Sequence, residues 1–397
     1  MIDLRAARND PDGFRAALKR KGADGLFDAL LAADERWRAL VPRADELRGR
    51  QKAKGKPTPE QLEELDRVKD ELRAVEEELA AAEAERDHLL EQVPNPPDPS
   101  APDGDLEEHA EELRRWGEPA SDGPEHTEVG RFEMERAARL SGSRFGYLLG
   151  DTALLALALY RFAVDRAVAH GHVPMLPPVL VREEAMYGTG FLPTERSNIY
   201  ALEEDGLYLT GTSEVALAGL HMGKILEELP LRYSAFSTCF RREAGAAGKD
   251  TRGMFRVHQF NKVELFVFCE PEASGEEHDR LLEIEEEIVR DLALPYRVVN
   301  VAAGDLGASA AKKYDIEAWF PHQQRYREIT STSNTTDFQA RRLGIRYRPP
   351  GQKGTEFVHT LNGTAVTDRW VLAILENFRG EVPDLLKPFG APDRVTR

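Results

Sequence analysis

The sequence is poor in cysteine and has no long apolar run. Only Cys239 and Cys269 occur among its 397 residues, each inside an apolar stretch. Their position inside apolar runs predicts buried, reduced thiols rather than a disulfide framework or a zinc site. No stretch is apolar for long enough to cross a bilayer, and the opening MIDLRAARNDPDGF lacks an apolar signal region. We expect a cytoplasmic protein with no membrane partner.

The chain also lacks an excess of positive charge. Lys and Arg number 53 against 70 Asp and Glu, which gives a formal net charge of -17 at pH 7. Proteins that coat nucleic acid without discrimination need many cationic contacts to phosphates. The charge balance excludes that class. We therefore expect no DNA partner, and any contact with RNA must be local.

Several familiar signatures of nucleotide binding and catalysis are missing. The sequence contains no GxxxxGK[ST] loop, and neither GTG near Thr189 nor GQKG near Lys353 matches a dinucleotide fingerprint. GxSxG, HExxH and CxxC are also absent, which disfavours hydrolases and metalloproteases. A phosphate-binding site in this chain must be of another kind.

Near its start the sequence contains two long amphipathic segments. Residues 26–53 and 59–91 place apolar side chains at alternating spacings of three and four, with charged residues on the other faces. Such a narrow apolar seam is typical of a coiled coil. Thr58, Pro59 and Gln61 can begin the second helix as N-cap, first helical residue and capping-box partner. The short turn before them predicts two antiparallel helices, each roughly 45 Å long.

Basic residues are concentrated at the end of this helical pair. From Arg36 to Lys56 eight basic residues face only Asp45 and Glu46, a local charge of 8 − 2 = +6. A solvated helix face is the ordinary explanation of such a charge run. Composition alone leaves that explanation and a local RNA-binding surface both open.

A proline-rich segment separates this region from the rest. Five prolines between Val93 and Asp105 exclude regular structure there, so we predict an N-terminal helical arm at 1–104 and a second domain at 105–397. Beyond the linker, helix-like stretches such as TALLALALYRFAVDRAVAHG mix with β-rich runs such as LRYSAFSTCF and KVELFVFC. This irregular order predicts an α+β domain built around an antiparallel sheet.

The densest candidate for chemistry is FRREAGAAGKDTRGMFRVHQFNKVELF, at residues 240–266. Its arginines carry planar guanidinium groups that suit phosphate oxygens. We predict two strands joined by a Gly-rich loop, with Arg241 and Glu243 on the first. The second strand would place three side chains on one face: Arg256, Phe260 and Glu264. Such a face would suit a nucleotide and an ammonium group, and an exposed salt-bridged hairpin is the alternative.

This segment resembles motif 2 of the class II aminoacyl-tRNA synthetases, and its FRREAG, GKDTRG and RVHQFNKVE are most similar to the seryl branch. Three further stretches agree with the family in order: LTGTSEV, YREITSTSNTTDFQARRLGIRYR and TLNGTAVTDRWVLAILENF. VPMLPPVLV resembles motif 1, with Pro178 as its proline. The paired helices resemble the family's N-terminal domain. The resemblance extends over nearly the whole chain.

The resemblance implies a class II catalytic domain, with a seven-stranded or similar antiparallel sheet flanked by helices, behind an antiparallel coiled-coil arm. It also implies a homodimer formed through motif 1 and ATP bound in a bent form on the sheet. The residues then expected to bind ATP are Arg241, Arg242, Glu243, Arg256, Val257, Phe260, Glu328, Ile329, Thr330, Ser331 and Arg369.

By the same resemblance, Arg241 would contact the α-phosphate and the serine carboxylate, while Arg256 and Arg369 would hold the outer phosphates. Arg241 and Arg369 are therefore the expected catalytic residues. Glu328 and Ser331 would coordinate Mg²⁺. Activation needs no side-chain nucleophile, because the serine carboxylate itself attacks the α-phosphorus, and the enzyme's task is positioning and charge stabilisation.

On the adenine side, the resemblance assigns Glu243 and the backbone near Val257 to the base, with Phe260 stacked on its ring. The expected serine-binding residues are Thr212, Ser213, Glu214, Arg241, Glu264 and Thr364. A pocket whose buried groups need a hydroxyl partner would reject alanine, because those groups would be left unpaired.

For the arm, the resemblance implies a grip on the long variable arm of tRNA(Ser), mainly by shape and backbone contacts, as RNA duplexes are generally recognised. The residues expected to contact tRNA are Arg43, Arg48, Arg50, Lys52, Lys54 and Lys56. The basic stretch found by composition would then have a partner.

Departures from the family pattern keep alternatives open. The stretch between the linker and motif 1 is short, and LNGTAVTDR has one residue fewer between Thr364 and Arg369. The main hypothesis is a housekeeping serine-tRNA ligase. A specialised paralogue for secondary metabolism or inhibitor resistance, a serine:carrier-protein ligase and a non-catalytic RNA-binding relative are the alternatives. The last should have lost Arg241, Glu264, Glu328 or Arg369, and all four are present.

Overall fold

The computed structural model describes residues 1–51, 58–244 and 253–397. They form two compact units, Met1–Pro96 and Pro97–Arg397, each with its own hydrophobic clusters. The division falls inside the proline-rich linker, whose residues 93–105 form neither helix nor strand. Both cysteines are free and buried, as predicted. None of the helices in the described part of the chain is long and apolar enough to span a membrane.

Helices make up the described part of the first unit. They are α1 (Leu4–Asn9), α2 (Pro11–Lys19), α3 (Asp24–Arg50) and α4 (Pro59–Gln92). Ion pairs from Arg50 to Glu64 and from Arg36 to Glu85 show that α3 and α4 run antiparallel, as predicted. The capping box expected at the start of α4 is present.

The apolar seam between α3 and α4 is also confirmed. Its buried members are Leu30, Ala33, Ala44, Leu47, Val68, Leu72, Val75 and Ala82. Arg86, a polar residue at a seam position, lays its guanidinium over the Trp37 ring at 4.1 Å from the centroid. A cation on an aromatic face can be buried there without losing all of its electrostatic stabilisation.

The second unit mixes helices and strands. Its helices are α5 (His126–Val129), α6 (Met134–Ser141), α7 (Asp151–Ala169), α8 (Glu183–Thr189), α9 (Glu214–Gly219), α10 (Ser274–Asp291), α11 (Phe338–Leu343) and α12 (Asp368–Phe378). Its strands are β1 (Glu111–Trp116), β2 (Phe132–Glu133), β3 (Tyr147–Leu148), β4 (Val173–Met175), β5 (Leu180–Arg182), β6 (Tyr200–Leu202), β7 (Leu207–Leu209), β8 (Ile225–Leu226), β9 (Leu231–Phe240), β10 (Gln259–Cys269), β11 (Tyr296–Asn300), β12 (Lys312–Phe320), β13 (Arg325–Asn334), β14 (Arg346–Tyr347), β15 (Glu356–Phe357) and β16 (His359–Thr367).

One large sheet dominates this unit, in the order β1-β11-β12-β13-β16-β10-β9-β4. Its strands pair antiparallel except at the edge, where β4 runs parallel to β9. The predicted α+β class with a largely antiparallel sheet is confirmed. The sheet has eight strands among the described residues, in agreement with the expected seven-stranded or similar sheet.

Helices cover both faces of this sheet, and β10 shows how. Its odd-numbered Val263 and Leu265 pack in the cluster that contains Leu159 of α7 and Trp370 of α12. Its even-numbered Phe266 and Phe268 pack in a second cluster, with residues of α9 and α11. Alternate residues of a strand point to opposite faces, so the two clusters lie on either side of the sheet.

Candidate active site

The turn between β9 and β10 holds the candidate arginines. β9 ends at Phe240 and β10 begins at Gln259, so the prediction that Arg241, Glu243 and Arg256 lie within strands is wrong. The backbone of Glu243 has a left-handed φ of 49°, which an extended strand does not allow. An ion pair of 2.5 Å nevertheless joins Arg256 to Glu243. These side chains are thus held at the end of the hairpin.

Lys262 lies between two predicted residues, Phe260 and Glu264, at the same even spacing along β10. Its Nζ donates to Thr212 Oγ1 over 2.7 Å and forms an ion pair with Glu264. This lysine was not among the residues predicted from the sequence, although the spacing that selected its two neighbours also selects it. It brings a cation to the lining of the cleft.

A β-bulge decides which side chains of β13 face the cleft. The residues on either side of Ile329 oppose consecutive residues of β12, so Ile329 is the extra one. An extra residue shifts the alternation by one. Glu328 and Ser331, three residues apart, therefore line the same cavity. The sequence pattern contains no signal for this bulge.

Two adjoining cavities meet at the end of the hairpin. The larger has a volume of about 470 Å³. Four predicted residues line both cavities: Arg241, Glu243, Arg256 and Arg369. The larger cavity also receives Glu214, Glu328 and Ser331. The smaller one receives Val257, Phe260, Ile329 and Thr364.

Of the predicted residues, five lie outside the cavity linings formed by the described residues: Thr212, Ser213, Arg242, Glu264 and Thr330. Thr212, Ser213 and Glu264 are buried next to the cleft. Thr330 is buried in the sheet, where its hydroxyl donates to the Thr364 carbonyl. Arg242 is exposed, with its guanidinium 5.7 Å from the Tyr200 ring centroid.

Arg369 is held by contacts to backbone and to an aromatic ring. Its Nη1 donates to the Glu328 carbonyl over 3.0 Å, and the guanidinium lies 4.7 Å from the Phe255 ring centroid. Desolvation opposes ionisation of the Glu328 carboxyl, but Lys313 and Arg369 outweigh it and hold the pKa of that carboxyl below its ordinary value. An ionised Glu328 can accept a cation. Phe255 and Lys313 are cleft residues that the sequence analysis missed.

Two of the predicted serine-binding residues, Glu214 and Glu264, are buried carboxylates. Glu214 accepts hydrogen bonds from Gln339 Nε2 at 2.7 Å and from Asn362 Nδ2 at 3.1 Å. Burial, reinforced by neighbouring Glu264, raises the pKa of Glu214 to about 7. Burial also raises the pKa of Glu264, while Lys262 opposes that shift. Carboxylates beside amide and ammonium donors can bind both an ammonium group and a hydroxyl.

Among the described residues, no group of three or more His, Cys, Asp or Glu side chains is arranged to hold a metal ion. Magnesium does not need such a group when phosphates and waters supply most of its ligands. The two oxygen-bearing side chains Glu328 and Ser331, in one cavity with three arginines, fit a phosphate-bound magnesium ion of that kind.

On the helical arm, the described tRNA candidates are paired with the opposite helix. Arg43 contacts Glu71 at 3.2 Å, Arg48 contacts Glu76 at 2.9 Å and Arg50 contacts Glu64 at 2.7 Å, all with side chains about half exposed. The remaining candidates Lys52, Lys54 and Lys56 lie outside the described residues. Exposed ion pairs of this type are weak, so phosphates can compete for the arginines.

An apolar groove lies beside the edge strand β4. We call it the β4 groove; its lining residues are Leu157, Tyr160, Arg161, Val164, Pro174, Met175, Leu176 and Phe236. Leu176 is 83% exposed and Leu157 is 61% exposed. Large apolar side chains grouped on a surface mark a contact with another molecule more often than chance exposure does.

Comparison with known proteins gives concordant results for both units. Residues 1–97 match the model of the seryl-tRNA synthetase N-terminal domain, and residues 200–378 match that of the tRNA synthetase class II core domain (G, H, P, S and T). The serine-tRNA ligase of Thermobifida fusca (strain YX) is 48% identical over 415 aligned residues, covering 99% of this chain and 98% of that protein. Serine-tRNA ligase 1 of Streptomyces avermitilis is 47% identical, covering 98% and 97%.

A solved structure is similar over the same extent. The crystal structure of seryl-tRNA synthetase from Pyrococcus horikoshii complexed with ATP superposes with a TM-score of 0.92 at 37% sequence identity. The match covers 100% of this chain and 99% of that one.

Proposed function

Since the chain belongs to the seryl-tRNA synthetase family, we propose that it is a serine-tRNA ligase. It activates L-serine with ATP to seryl-adenylate, releasing diphosphate, and transfers the serine to the 3′ end of tRNA(Ser). The observation that carries this proposal is the meeting of Arg241, Arg256 and Arg369 at two joined cavities, the smaller of which is also lined by Lys262, the ion-pair partner of buried Glu264. Such a ligase acts where tRNA and ATP are present together, which is the cytoplasm.

ATP is assigned to the place where the two cavities join. Phe260, Val257 and Ile329 give the smaller cavity an apolar surface for adenine, with Phe260 available for stacking. The Arg241 guanidinium lies 5.1 Å from the Phe260 ring centroid, so it reaches from the base-binding surface toward the phosphates. Fixed cations near the phosphates stabilise the charge that develops as diphosphate leaves.

Glu328 and Ser331 would hold Mg²⁺ against the phosphates of ATP. When bound, the ion supplies neutralisation of phosphate charge. Arg369 lies beside them, with its Nη1 3.7 Å from a Glu328 carboxylate oxygen. The chain's own part is to keep Glu328 ionised and to hold Arg369 next to it.

Serine is assigned to the end of the cleft formed by Glu264, Glu214, Thr364 and their neighbours. Its ammonium would bind Glu264, and its hydroxyl would find Thr364 and the buried acceptors around it. The carboxylate of serine would then face the α-phosphate and Arg241, which lines both cavities. Positioning of this kind replaces a nucleophilic side chain, because the substrate carboxylate is itself the nucleophile.

We also propose roles for the helical arm and for the β4 groove. The arm formed by α3 and α4 binds tRNA(Ser) through the arginines facing α4 and the three lysines of the connection. The β4 groove forms the homodimer interface, because it lies beside the parallel edge strand within the segment that resembles motif 1, and because its apolar side chains are exposed. A second copy of the chain would cover those side chains.

The decisive experiment is amino-acid-dependent exchange of labelled diphosphate into ATP, with serine, threonine, alanine and cysteine tested in parallel, followed by charging of bulk tRNA. Exchange with serine alone, together with charging, is the expected result. Exchange without charging would indicate a carrier-protein or specialised role. No exchange with any of the four amino acids would contradict the proposal and favour a non-catalytic relative.

The serine site has its own test in Glu264→Ala. Serine-dependent exchange should be lost while equilibrium binding of ATP is retained, because Glu264 is assigned to the ammonium of serine alone. Glu272→Ala, at an exposed position after the end of β10, is the matched control. Equal loss of ATP binding and of serine activation would show that the serine pocket is misplaced.

A further inference from the structure

One buried tyrosine connects the β4 groove to the active-site cleft. The ring of Tyr160, on α7, forms part of the groove wall and packs on Phe236 with ring centroids 5.1 Å apart. Its hydroxyl points inward and donates to Asp368 Oδ1. Asp368 is the first residue of α12 and lines the smaller cavity.

Three elements converge on the Asp368 carboxylate. One oxygen accepts from Tyr160 of α7, and the other accepts from the backbone N–H of Asn261 on β10 over 3.0 Å. Asp368 is only 8% exposed. A buried carboxylate is costly without donors, so the side chain keeps the position that satisfies both. The first turn of α12 is thereby tied to β10 and α7.

Arg369 follows Asp368 directly in that turn. Its backbone N–H donates to the N-cap hydroxyl of Thr367 over 3.3 Å, and its guanidinium reaches the Glu328 carbonyl and the Phe255 ring. Any rotation of this turn would move the guanidinium relative to those contacts. Tyr160 itself is not among the described residues that line either active-site cavity.

We propose that Tyr160 is a positioning residue for Arg369, acting through Asp368. The inference rests on the proposed function, in which Arg369 holds the outer phosphates of ATP. Loss of the tyrosine hydroxyl removes the donor on Asp368 Oδ1 that ties the first turn of α12 to α7. An arginine displaced by a fraction of an ångström still binds ATP but stabilises the transition state less well.

The test is Tyr160→Phe, assayed by serine-dependent diphosphate exchange. We expect kcat to fall about tenfold and KM for ATP to rise, with KM for serine unchanged, since geometric errors of this size cost about one to two orders of magnitude. Tyr208→Phe is the matched control: it removes a hydroxyl that also donates to a carboxylate, Glu183, over 3.0 Å but at the surface. An unchanged kcat, or an equal rise of both KM values, would overturn the proposal.

A double-mutant cycle with Asp368→Asn shows whether the effect passes through Asp368. The hydroxyl deletion should matter much less in the Asp368→Asn background, because the hydrogen bond it removes is already altered; fully additive effects would overturn the proposal. If Tyr160→Phe unfolds, Asp368→Asn alone must still show the split between the two KM values. If Tyr160→Phe changed the oligomeric state, the loss of activity would be caused by disruption of the β4 groove, and the positioning proposal would also be overturned.

The ligase assignment and the positioning role of Tyr160 can be contradicted independently of each other. Wild-type protein without any exchange activity would contradict the ligase assignment whatever Tyr160 does. Wild-type activity together with a kinetically silent Tyr160→Phe would contradict only the positioning role. Equilibrium binding of ATP to both proteins provides a readout that does not depend on serine or tRNA.

Discussion

Lys262 and Glu264, two residues apart on β10, form a buried ion pair beside the cleft. Removal of one partner of a buried pair leaves an uncompensated charge and typically costs about 3–5 kcal/mol. Lys262→Met should therefore lower the free energy of unfolding by about 3 kcal/mol. It should also raise KM for serine, because Glu264, whose pKa burial already raises, would more readily be protonated.

The measurements are chemical denaturation and diphosphate exchange over a range of serine concentrations. Lys387→Met, at a surface ion pair near the end of the chain, is the control for loss of a lysine. The double variant Lys262→Met/Glu264→Gln should recover stability but not serine activation. Recovery of both would show that Glu264 does not bind the serine ammonium.

Serine binding should depend on pH near neutrality. The pKa of Glu214 is raised to about 7, so its carboxylate is ionised above that pH and increasingly protonated below it. The ionised form accepts from Gln339 and Asn362, which orders the pocket wall. We expect KM for serine to rise as pH falls from 8 to 6, while KM for ATP changes less.

Glu214→Gln should flatten that pH dependence, since the amide does not titrate. The linked effect on folding has a definite sign. Because the pKa of Glu214 is higher in the folded state than in the unfolded state, its contribution to the free energy of unfolding is fully present below the unfolded pKa and is lost as pH rises toward 7. Denaturation should thus show Glu214→Gln gaining stability relative to the wild type between pH 5 and pH 7.5. If the difference in unfolding free energy between Glu214→Gln and the wild type did not change with pH, the raised pKa of Glu214 would be contradicted.

Charge on the arm should control affinity for tRNA. The triple change Arg43→Gln, Arg48→Gln and Arg50→Gln should weaken binding of tRNA(Ser) at low salt and reduce the slope of log K against log salt by about one for each phosphate that is no longer neutralised. The matched variant neutralises their partners instead: Glu64→Gln, Glu71→Gln and Glu76→Gln. It should tighten binding, because the arginines then lose the α4 carboxylates that compete with phosphates for them. Equal affinities for the two variants would refute the tRNA role of these arginines.

Disruption of the β4 groove should separate the proposed homodimer into monomers. Leu157→Glu places a charge among apolar side chains that a second copy would cover, at a position that is 61% exposed in the single chain. We expect a monomer by light scattering at micromolar concentration. Leu62→Glu, at a 49% exposed position on α4, should leave the dimer intact. A dimeric Leu157→Glu protein would place the interface elsewhere.

Local patterns accounted for much of the architecture. The three–four spacing located α3 and α4, and Thr58 and Gln61 form the capping box that their identities predict. The apolar runs located β9 and β10, because strand-forming side chains and a Gly-rich interruption are local signals. The thiols, the α+β class and the largely antiparallel sheet followed in the same way.

The contents of the site depended on contacts that no local pattern contains. Glu214 is held by Gln339 and Asn362, which are 125 and 148 residues away in the chain. The extra residue Ile329 in β13 exists only relative to its partner strand, yet it decides that Glu328 and Ser331 share a cavity. Spacing alone would have placed those two side chains on opposite faces.

Residue identity determined which groups are available: cleft arginines and glutamates in recognisable order, a basic stretch of +6, and two thiols unsuited to a disulfide framework. Tertiary structure decided which of these groups are paired, buried or shifted in pKa. It paired Arg48 with Glu76 across the arm, raised the pKa of Glu214 by burial beside Glu264, and joined Tyr160 to Asp368 across 208 residues. Spacing along a chain specifies helix and strand faces, whereas burial, charge pairing and register arise only when distant segments meet.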